Sequence, residues 1–235
     1  KTYDGTTDAT VTNVTFDVAG IKSTSTAKFE DADAGTGKKC TVTVSLDNPN
    51  YTLAKDTFET TATIGKATLD AQTVNAMVST AVGAEPVVID LAQYLPKDCG
   101  GTPSYAGAAV TDGKLTVNAA GTTVVTVSGM TNYENLNITV NVTATDKTLV
   151  KFDIKAGDVT YDGKAKAATV KCDPADAEYE VKYTGKTVKG DDYDSTTAPT
   201  NAGSYKVTVS IPADNAKYAG VAEATFEIKP AQVIV

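Results

Sequence analysis

Residues 201–222 read NAGSYKVTVSIPADNAKYAGVA, and the fold is decided by how this stretch is understood. Ala202-Gly203 supplies a tight turn. Val207-Thr208-Val209 then alternates an inward apolar side chain with an outward hydroxyl, the period of a half-buried strand. A polar turn follows, and Tyr218 opens a second apolar run, so the stretch encodes a β-hairpin. The same pattern occurs at 33–54 (DAGTGKKCTVTVSLDNPNYTLA) and at 119–140 (AAGTTVVTVSGMTNYENLNITV). Each copy reads Ala-Gly, a short gap, Val-Thr-Val-Ser, a turn and a tyrosine (Tyr51, Tyr133, Tyr218). Val42/Val44, Val125/Val127 and Val207/Val209 are therefore predicted to point inward from three equivalent strands. The second strands alternate too: Leu136, Ile138, Val140 and Val142 share one face, while Asn137, Thr139 and Asn141 share the other. Phe58, Thr60, Ala62 and Ile64, and later Phe226 and Ile228, are expected to fill the same inward role in the outer copies.

Composition agrees with repeated small units. Of 235 residues 41% are apolar, but only 7% are aromatic and none is Trp. The cores must then be thin and built mostly from Val, Ala, Ile and Leu. Short Lys-bearing junctions at Ile64–Leu69 and Thr143–Leu149 divide the chain into three predicted all-β domains, 1–66, 67–146 and 147–235. Having no Gly/Ser or Pro tracts, these junctions imply little hinge freedom and a rod-like arrangement. No stretch of ten residues has a convincing amphipathic helical pattern, and Val87–Pro96 reads as a strand followed by a turn between two prolines. The sequence starts at Lys1 and shows neither a signal peptide nor an apolar run long enough for a bilayer, as expected of a piece excised from a longer protein.

A net charge of −8 argues against a nucleic-acid partner, which needs clustered Lys and Arg. Histidine is absent, which removes the commonest zinc ligand and the usual base for a Ser or Cys nucleophile. Cys40, Cys99 and Cys172 fall one to each predicted domain and are expected to be free thiols. Cys40 and Cys172 read as small core residues, with Cys172 on a strand facing Val207. The acidic clusters Glu30-Asp31-Asp33 and Asp191-Asp192-Asp194 do not match the spacing of an EF-hand loop and are expected to be solvated. The Asn-x-Thr sequons at Asn13, Asn50, Asn137 and Asn141 reflect Thr-rich strands. No metal or cofactor site and no catalytic residue is predicted.

One tripeptide recurs: Tyr3-Asp4-Gly5 and Tyr161-Asp162-Gly163, each ahead of a Thr/Val/Ala run. A bend between strands explains it. Gly permits positive φ, Asp ties down backbone amides, and Tyr covers the sandwich end with its hydroxyl in water. The competing reading is a sugar-stacking aromatic beside a carboxylate, and exposed tyrosines such as Tyr193 would serve the same purpose.

KTYDGTTDAT resembles the bacterial YDG repeat. Residues 161–230, through YDGKAKAATV, NAGSYKVTVS, NAKYAGVAEATFEI and the closing KPA, resemble the MBG family of "mostly bacterial Ig-like" domains. The middle segment, with VVIDLAQYL, GKLTVNAAGTTVVTVS and NITVNVTA, is similar to bacterial Ig-like and cadherin-like repeats. NAGSYKV also resembles the tyrosine corner of Ig sandwiches, with Tyr205 in the corner; Cys40 and Thr123 stand at that place in the other copies. The resemblance implies tandem Ig-like β-sandwich domains in a bacterial cell-surface or secreted protein, extracellular and monomeric. It further implies a non-catalytic stalk, spacer or adhesion role, without cofactor or membrane insertion in this segment. The partner would be a host or matrix protein or a glycan. The alternative is a set of carbohydrate-binding accessory domains of a surface glycan-degrading enzyme.

Overall fold

The three Val-Thr-Val-Ser runs lie on strands whose alternate side chains are buried, as their period requires. In the computed structural model, which describes residues 1–81, 83–107 and 109–233, Val44, Val125, Val127, Val207 and Val209 are all buried and Val42 is half-buried. Among the described residues the chain forms twenty strands and one 3-10 turn, and no α-helix. In chain order these are β1 (Asp8–Ala9), β2 (Ser23–Phe29), β3 (Gly35–Leu46), β4 (Thr57–Ile64), β5 (Gln72–Ser79) and β6 (Val87–Asp90). The 3-10 turn (Ala92–Tyr94) follows, then β7 (Gly101–Ala106), β8 (Val110–Thr111), β9 (Lys114–Val117), β10 (Gly121–Met130) and β11 (Leu136–Thr145). The rest are β12 (Thr148–Leu149), β13 (Lys151–Lys155), β14 (Val159–Thr160), β15 (Thr169–Asp173), β16 (Glu180–Thr187), β17 (Asp192–Ser195), β18 (Gly203–Ser210), β19 (Tyr218–Ala219) and β20 (Val221–Lys229). The stretch 87–96 is thus a strand running into a 3-10 turn.

The residues fall into two compact units. One comprises Lys1–Asp70, Pro96–Ser104 and Val127–Leu136; the other comprises Ala71–Leu95, Tyr105–Thr126 and Asn137–Val235. In the first unit β1-β2-β3-β4 form an antiparallel sheet, with Phe29 opposite Cys40 and Cys40 opposite Thr60. Its core gathers Ala27, Phe29, Cys40 and Ile64 beneath the half-buried Tyr3, Ala9 and Val11.

In the second unit β14-β20-β18-β16-β17 form a five-stranded sheet, and β13 pairs antiparallel with β15 as a separate layer. The core between them is Tyr183, Tyr205, Val207, Val209, Phe226 and Ile228, covered by Phe152, Ile154 and Val170. The alternation of side chains on β18, buried at Gly203, Tyr205, Val207 and Val209, is what one-sided burial demands of a strand of period two. Also in this unit, β5 pairs in parallel with β11 from Gln72↔Ile138 to Ser79↔Thr145. On the outer face of β11, Thr126 and Thr122 donate to Asn137 and Asn141 at 2.9 and 3.1 Å, so two of the sequon asparagines belong to a strand ladder.

Two expectations about burial need correction. Phe58, Thr60 and Ala62 do share the face of Cys40 and Val42, but all three are exposed, Phe58 by 43%; only Ile64 of that set is buried. Cys172 lies on β15 as expected, yet it is half-buried and packs against Val150, Ala177, Ile211 and Tyr218, apart from the Val207 core. Its partner across the ladder is Phe152, whose ring takes the space next to the main core.

Candidate functional site

The most specific chemistry of this chain lies at the two segments that join successive repeats. In the first, Ile64 to Ala67, the main chain is bonded along its length. Gly65 N–H donates to Lys1 O, and Tyr3 N–H to Gly65 O, both at 2.7 Å. Lys66 Nζ reaches Met130 O at 2.6 Å. Ala67 N–H donates to Asn132 O at 2.9 Å, and Glu134 N–H to Ala67 O at 2.8 Å.

Asn132 is the hub of this cluster. It is 2% exposed. Its Oδ1 accepts from Ala34 N–H at 2.9 Å, and its Nδ2 donates to Asp33 Oδ1 at 3.0 Å and Asp98 O at 2.8 Å. Its own N–H donates to Cys99 O at 3.0 Å. A buried amide whose donors and acceptor are all used fixes its neighbours without the cost of an unpaired polar group. Beside it Tyr3 and Tyr133 meet edge to face, with ring centroids 5.4 Å apart. Both hydroxyls donate to the Asp98 carboxylate, Tyr3 at 2.9 Å and Tyr133 at 3.1 Å. The Tyr3 hydroxyl is therefore held by Asp98, a partner the sequence did not suggest.

These phenols carry a pH signature. Burial, then the hydrogen bond to Asp98, pushes the Tyr3 hydroxyl up to about 12, and burial and the Asp98 charge raise Tyr133 as well. A pKa raised in the fold means stabilisation that is complete below the free phenol's value of about 10 and is lost as the pH rises through about 12. Titration followed by phenolate absorbance is expected to show a late component at this end of the range. The double variant Tyr3→Phe/Tyr133→Phe should lose these two phenols' share of it and keep the late titration of Tyr94 and Tyr205, which burial also raises; an undiminished late amplitude would refute the assignment.

The second junction, Thr145 to Val150, is built differently. β12 pairs in parallel with β19, Thr148 opposite Tyr218 and Leu149 opposite Ala219. Thr148 N–H donates to Lys217 O at 3.0 Å and Val150 N–H to Ala219 O at 2.9 Å. Elsewhere in this unit, the Glu223 side chain is 2% exposed and receives Lys206 Nζ at 3.3 Å and the Tyr94 hydroxyl at 3.4 Å. Burial, with the Glu223 carboxylate, raises the Tyr94 pKa. Lys206 also donates to Thr73 O at 3.0 Å, and Thr225 Oγ1 to Gln93 O at 2.7 Å. Together these bonds tie β18 and β20 to residues 73 and 93–94.

The recurring tripeptide occupies equivalent bends. Gly5 and Gly163 have φ of 75° and 78°. Asp4 Oδ1 accepts from Thr6 N–H at 2.9 Å and Lys1 Nζ at 2.6 Å, which holds its carboxyl near the bottom of the carboxylate range, at about 2. Asp162 Oδ1 does the same for Lys164 N–H at 2.9 Å and Lys166 Nζ at 2.6 Å, and its pKa is lowered by that ammonium and then by that amide. The two tyrosines part company: Tyr3 is packed on Tyr133, whereas Tyr161 is 41% exposed.

Tyr205 is buried and donates its hydroxyl to Asn201 O at 2.8 Å, four residues upstream. Tyr193 is not the free aromatic expected: it is half-buried, stacks edge to face on Tyr205 at 5.5 Å, and donates to Thr197 O at 2.8 Å. Cys40, Cys99 and Cys172 are all free thiols.

The acidic clusters are used locally. Asp31 pairs with Lys38 and accepts Asp33 N–H at 2.9 Å, and Asp194 pairs with Lys182 at 2.9 Å. Among the described residues no group of three or more acidic or Cys side chains is placed to hold a metal. A surface depression of about 260 Å³ in the second unit is lined by Ala156, Val159, Ala165, Ala168, Phe226 and Lys166, whose ammonium is bound by Asp162. No described helix is long and apolar enough to cross a membrane.

These features define a chain of tandem Ig-like β-sandwich units. Its two ends match known domain families: residues 1–61 match the YDG domain and residues 153–232 the MBG domain. Comparison with curated proteins gives no match. Similar solved structures include Sidekick-1 immunoglobulin domains 1-5, at 14% identity with 86% of this chain and 47% of that chain covered and a TM-score of 0.25. The three N-terminal domains of the bacteriophage RB49 Highly Immunogenic Outer Capsid protein (Hoc) align at 13% identity, covering 89% and 58%, with a TM-score of 0.23. Drosophila OTK extracellular domains 3-5 align at 12% identity, covering 83% and 72%, with a TM-score of 0.23. The chain thus spans about half the length of the Sidekick-1 structure.

Proposed function

We propose that this chain is a non-catalytic spacer in a bacterial cell-surface or secreted protein, a segment that sets the position of whatever it carries. The observation that supports this most is the construction of the junctions. At the first junction polar groups are spent on fastening one repeat to the next through the Asn132 hub, and in the other unit the Glu223 cluster ties β18 and β20 to residues 73 and 93–94 in the same way. Bonds of this kind reduce hinge freedom, which is what a spacer requires and what a ligand site does not. The YDG and MBG domain matches support the extracellular, surface-attached setting.

The test is replacement in the intact parent protein on cells. Exchanging the segment for unrelated Ig-like repeats of equal residue number should leave an epitope tag at its far end as accessible to antibody-coated beads as before, and deleting the segment should remove that access. Saturable binding of the chain to one glycan or matrix protein, lost on changing the exposed Tyr161 or Tyr179 to Ala, would overturn the spacer reading in favour of a recognition module.

A further inference from the structure

Tyr3 and Tyr133 combine two features. Their rings are in edge-to-face contact, and both hydroxyls are bound by one carboxylate: Tyr3 donates to Asp98 Oδ2 at 2.9 Å, and the Tyr133 hydroxyl lies 3.1 Å from Oδ1 and 3.2 Å from the same Oδ2. The hydroxyl-bearing ends of the two rings are thereby held side by side. Two other tyrosine settings each show one of these features. Tyr193 and Tyr205 meet at almost the same centroid distance, 5.5 Å, but their hydroxyls go to separate backbone carbonyls, Thr197 O and Asn201 O. Tyr218 donates to the Asp176 carboxylate at 2.9 Å, but over its ring lies the Lys217 ammonium, 4.4 Å from the centroid.

A phenol gives up an electron readily when its proton can leave at the same time, because the cation left by electron loss alone is a strong acid. A carboxylate already bonded to the hydroxyl takes that proton; a backbone carbonyl is too weak a base to do so. The acceptor matters here, since burial and the Asp98 hydrogen bond push Tyr3 up to about 12 and keep it a neutral phenol at neutral pH. The resulting tyrosyl radical carries much of its unpaired electron on the two ring carbons beside the oxygen, Cε1 and Cε2. Two radicals whose hydroxyl ends are already adjacent join there without a search for a partner. Asp98 is itself held in place, because Asn132 Nδ2 donates to Asp98 O at 2.8 Å and Asn132 N–H to Cys99 O at 3.0 Å.

We propose that Tyr3, Tyr133 and Asp98 form an oxidative cross-linking site, which a one-electron oxidant supplied from outside the chain converts into a dityrosine. Each phenol gives one electron to the oxidant and one proton to the Asp98 carboxylate, which passes the first proton to water before it takes the second. The two radicals couple Cε to Cε, and the hydrogen on each joined carbon moves to the oxygen of its ring, restoring two phenols. In sum the chain loses two electrons and two protons, and two equivalents of oxidant are reduced. The link spans 130 positions of sequence (133 − 3) and makes covalent the fastening that Asn132 provides through hydrogen bonds.

The test illuminates the whole chain, dilute, with tris(bipyridine)ruthenium(II) and persulfate as terminal electron acceptor, and digests the monomer band with trypsin. The expected product joins tryptic peptides 2–22 and 115–147 at their summed mass less two hydrogens. Peptide 190–206, which holds both Tyr193 and Tyr205, should not lose two hydrogens. Tyr133→Phe keeps the ring and should abolish the link. Asp98→Asn keeps a hydrogen-bond acceptor and the Asp98 O that Asn132 uses, but removes the base, so link formation at neutral pH should slow about tenfold or more. Raising the pH to about 10, where a phenol freed of its carboxylate neighbour ionises, should restore the rate in that variant, because a phenolate needs no acceptor. Absence of the link, an equal loss of hydrogens in peptide 190–206, or an unchanged rate in Asp98→Asn at neutral pH would overturn the proposal. So would a rate in Asp98→Asn that stays low at the higher pH, the mark of an aspartate that only positions the rings.

Discussion

Replacing Val209 by Asp is expected to unfold the sandwich built on β18. Val209 is 0% exposed and belongs to the cluster of Tyr183, Tyr205, Val207, Phe226 and Ile228. Its neighbours across the sheet are Val181 and Ala222, so an aspartate there finds apolar groups on both sides. Burying an unpaired carboxylate costs several kcal/mol or raises its pKa until it is neutral, and the lost packing of Val adds about 1–2 kcal/mol. A total on the order of 4 kcal/mol or more takes most of the ~5–10 kcal/mol available to a small domain. Calorimetry should show the transition of this sandwich lost or moved far down. The control is Val188→Asp, at a site 65% exposed, where a change within about 0.5 kcal/mol is expected. A native-like transition in Val209→Asp would mean that β18 does not carry the core.

The position of Val209 was legible in the sequence because alternation of period two says which side chains share a face. It does not say whether that face is covered. Phe58, Thr60 and Ala62 alternate as well as Phe226 and Ile228 do, and the difference between them is a second layer, β13, supplied by a segment remote in sequence from β20. Cys172 shows the same limit: its strand was readable, but its depth depends on Val150, Ala177 and Tyr218, which belong to three other segments. The bends at Gly5 and Gly163 were readable because an Asp that caps amides two residues on, followed by a Gly, is a local signal.

The junction hubs were hidden for a related reason. Asn132 sits in a polar turn, where Asn is ordinary, and its side-chain partners Ala34 and Asp33 lie 98 and 99 residues away. The available hint was repetition: an Asn precedes the turn tyrosine in both Asn50-Tyr51 and Asn132-Tyr133. Only the second is buried.

Removing that hub is expected to have the second large effect. Asn132→Leu keeps the volume but leaves Ala34 N–H and Asp98 O without their partner, and each buried group so orphaned costs about 1–3 kcal/mol. A loss of roughly 3 kcal/mol in the stability of the first unit follows, with faster hydrogen exchange at residues 33–34, 65–67 and 98–99 that the Val209 variant should not produce. Asn132→Asp separates the hydrogen bonds from mere packing. It retains an acceptor for Ala34 N–H, but replaces the Nδ2 donor with a carboxylate oxygen facing Asp33 Oδ1 and Asp98 O. Burial and the Asp33 charge must raise the pKa of that carboxyl in the fold. A carboxyl raised in the fold destabilises at pH above its unfolded value of about 4, where the unfolded state releases the proton more readily, and the penalty shrinks as the pH falls toward that value. Asn132→Asp should then be strongly destabilised at pH 7 and recover part of the difference from the parent chain near pH 4, whereas the deficit of Asn132→Leu should stay nearly constant. Equal deficits for the two variants at both pH values would show that Asn132 fills space at the junction and that its hydrogen bonds do not hold it.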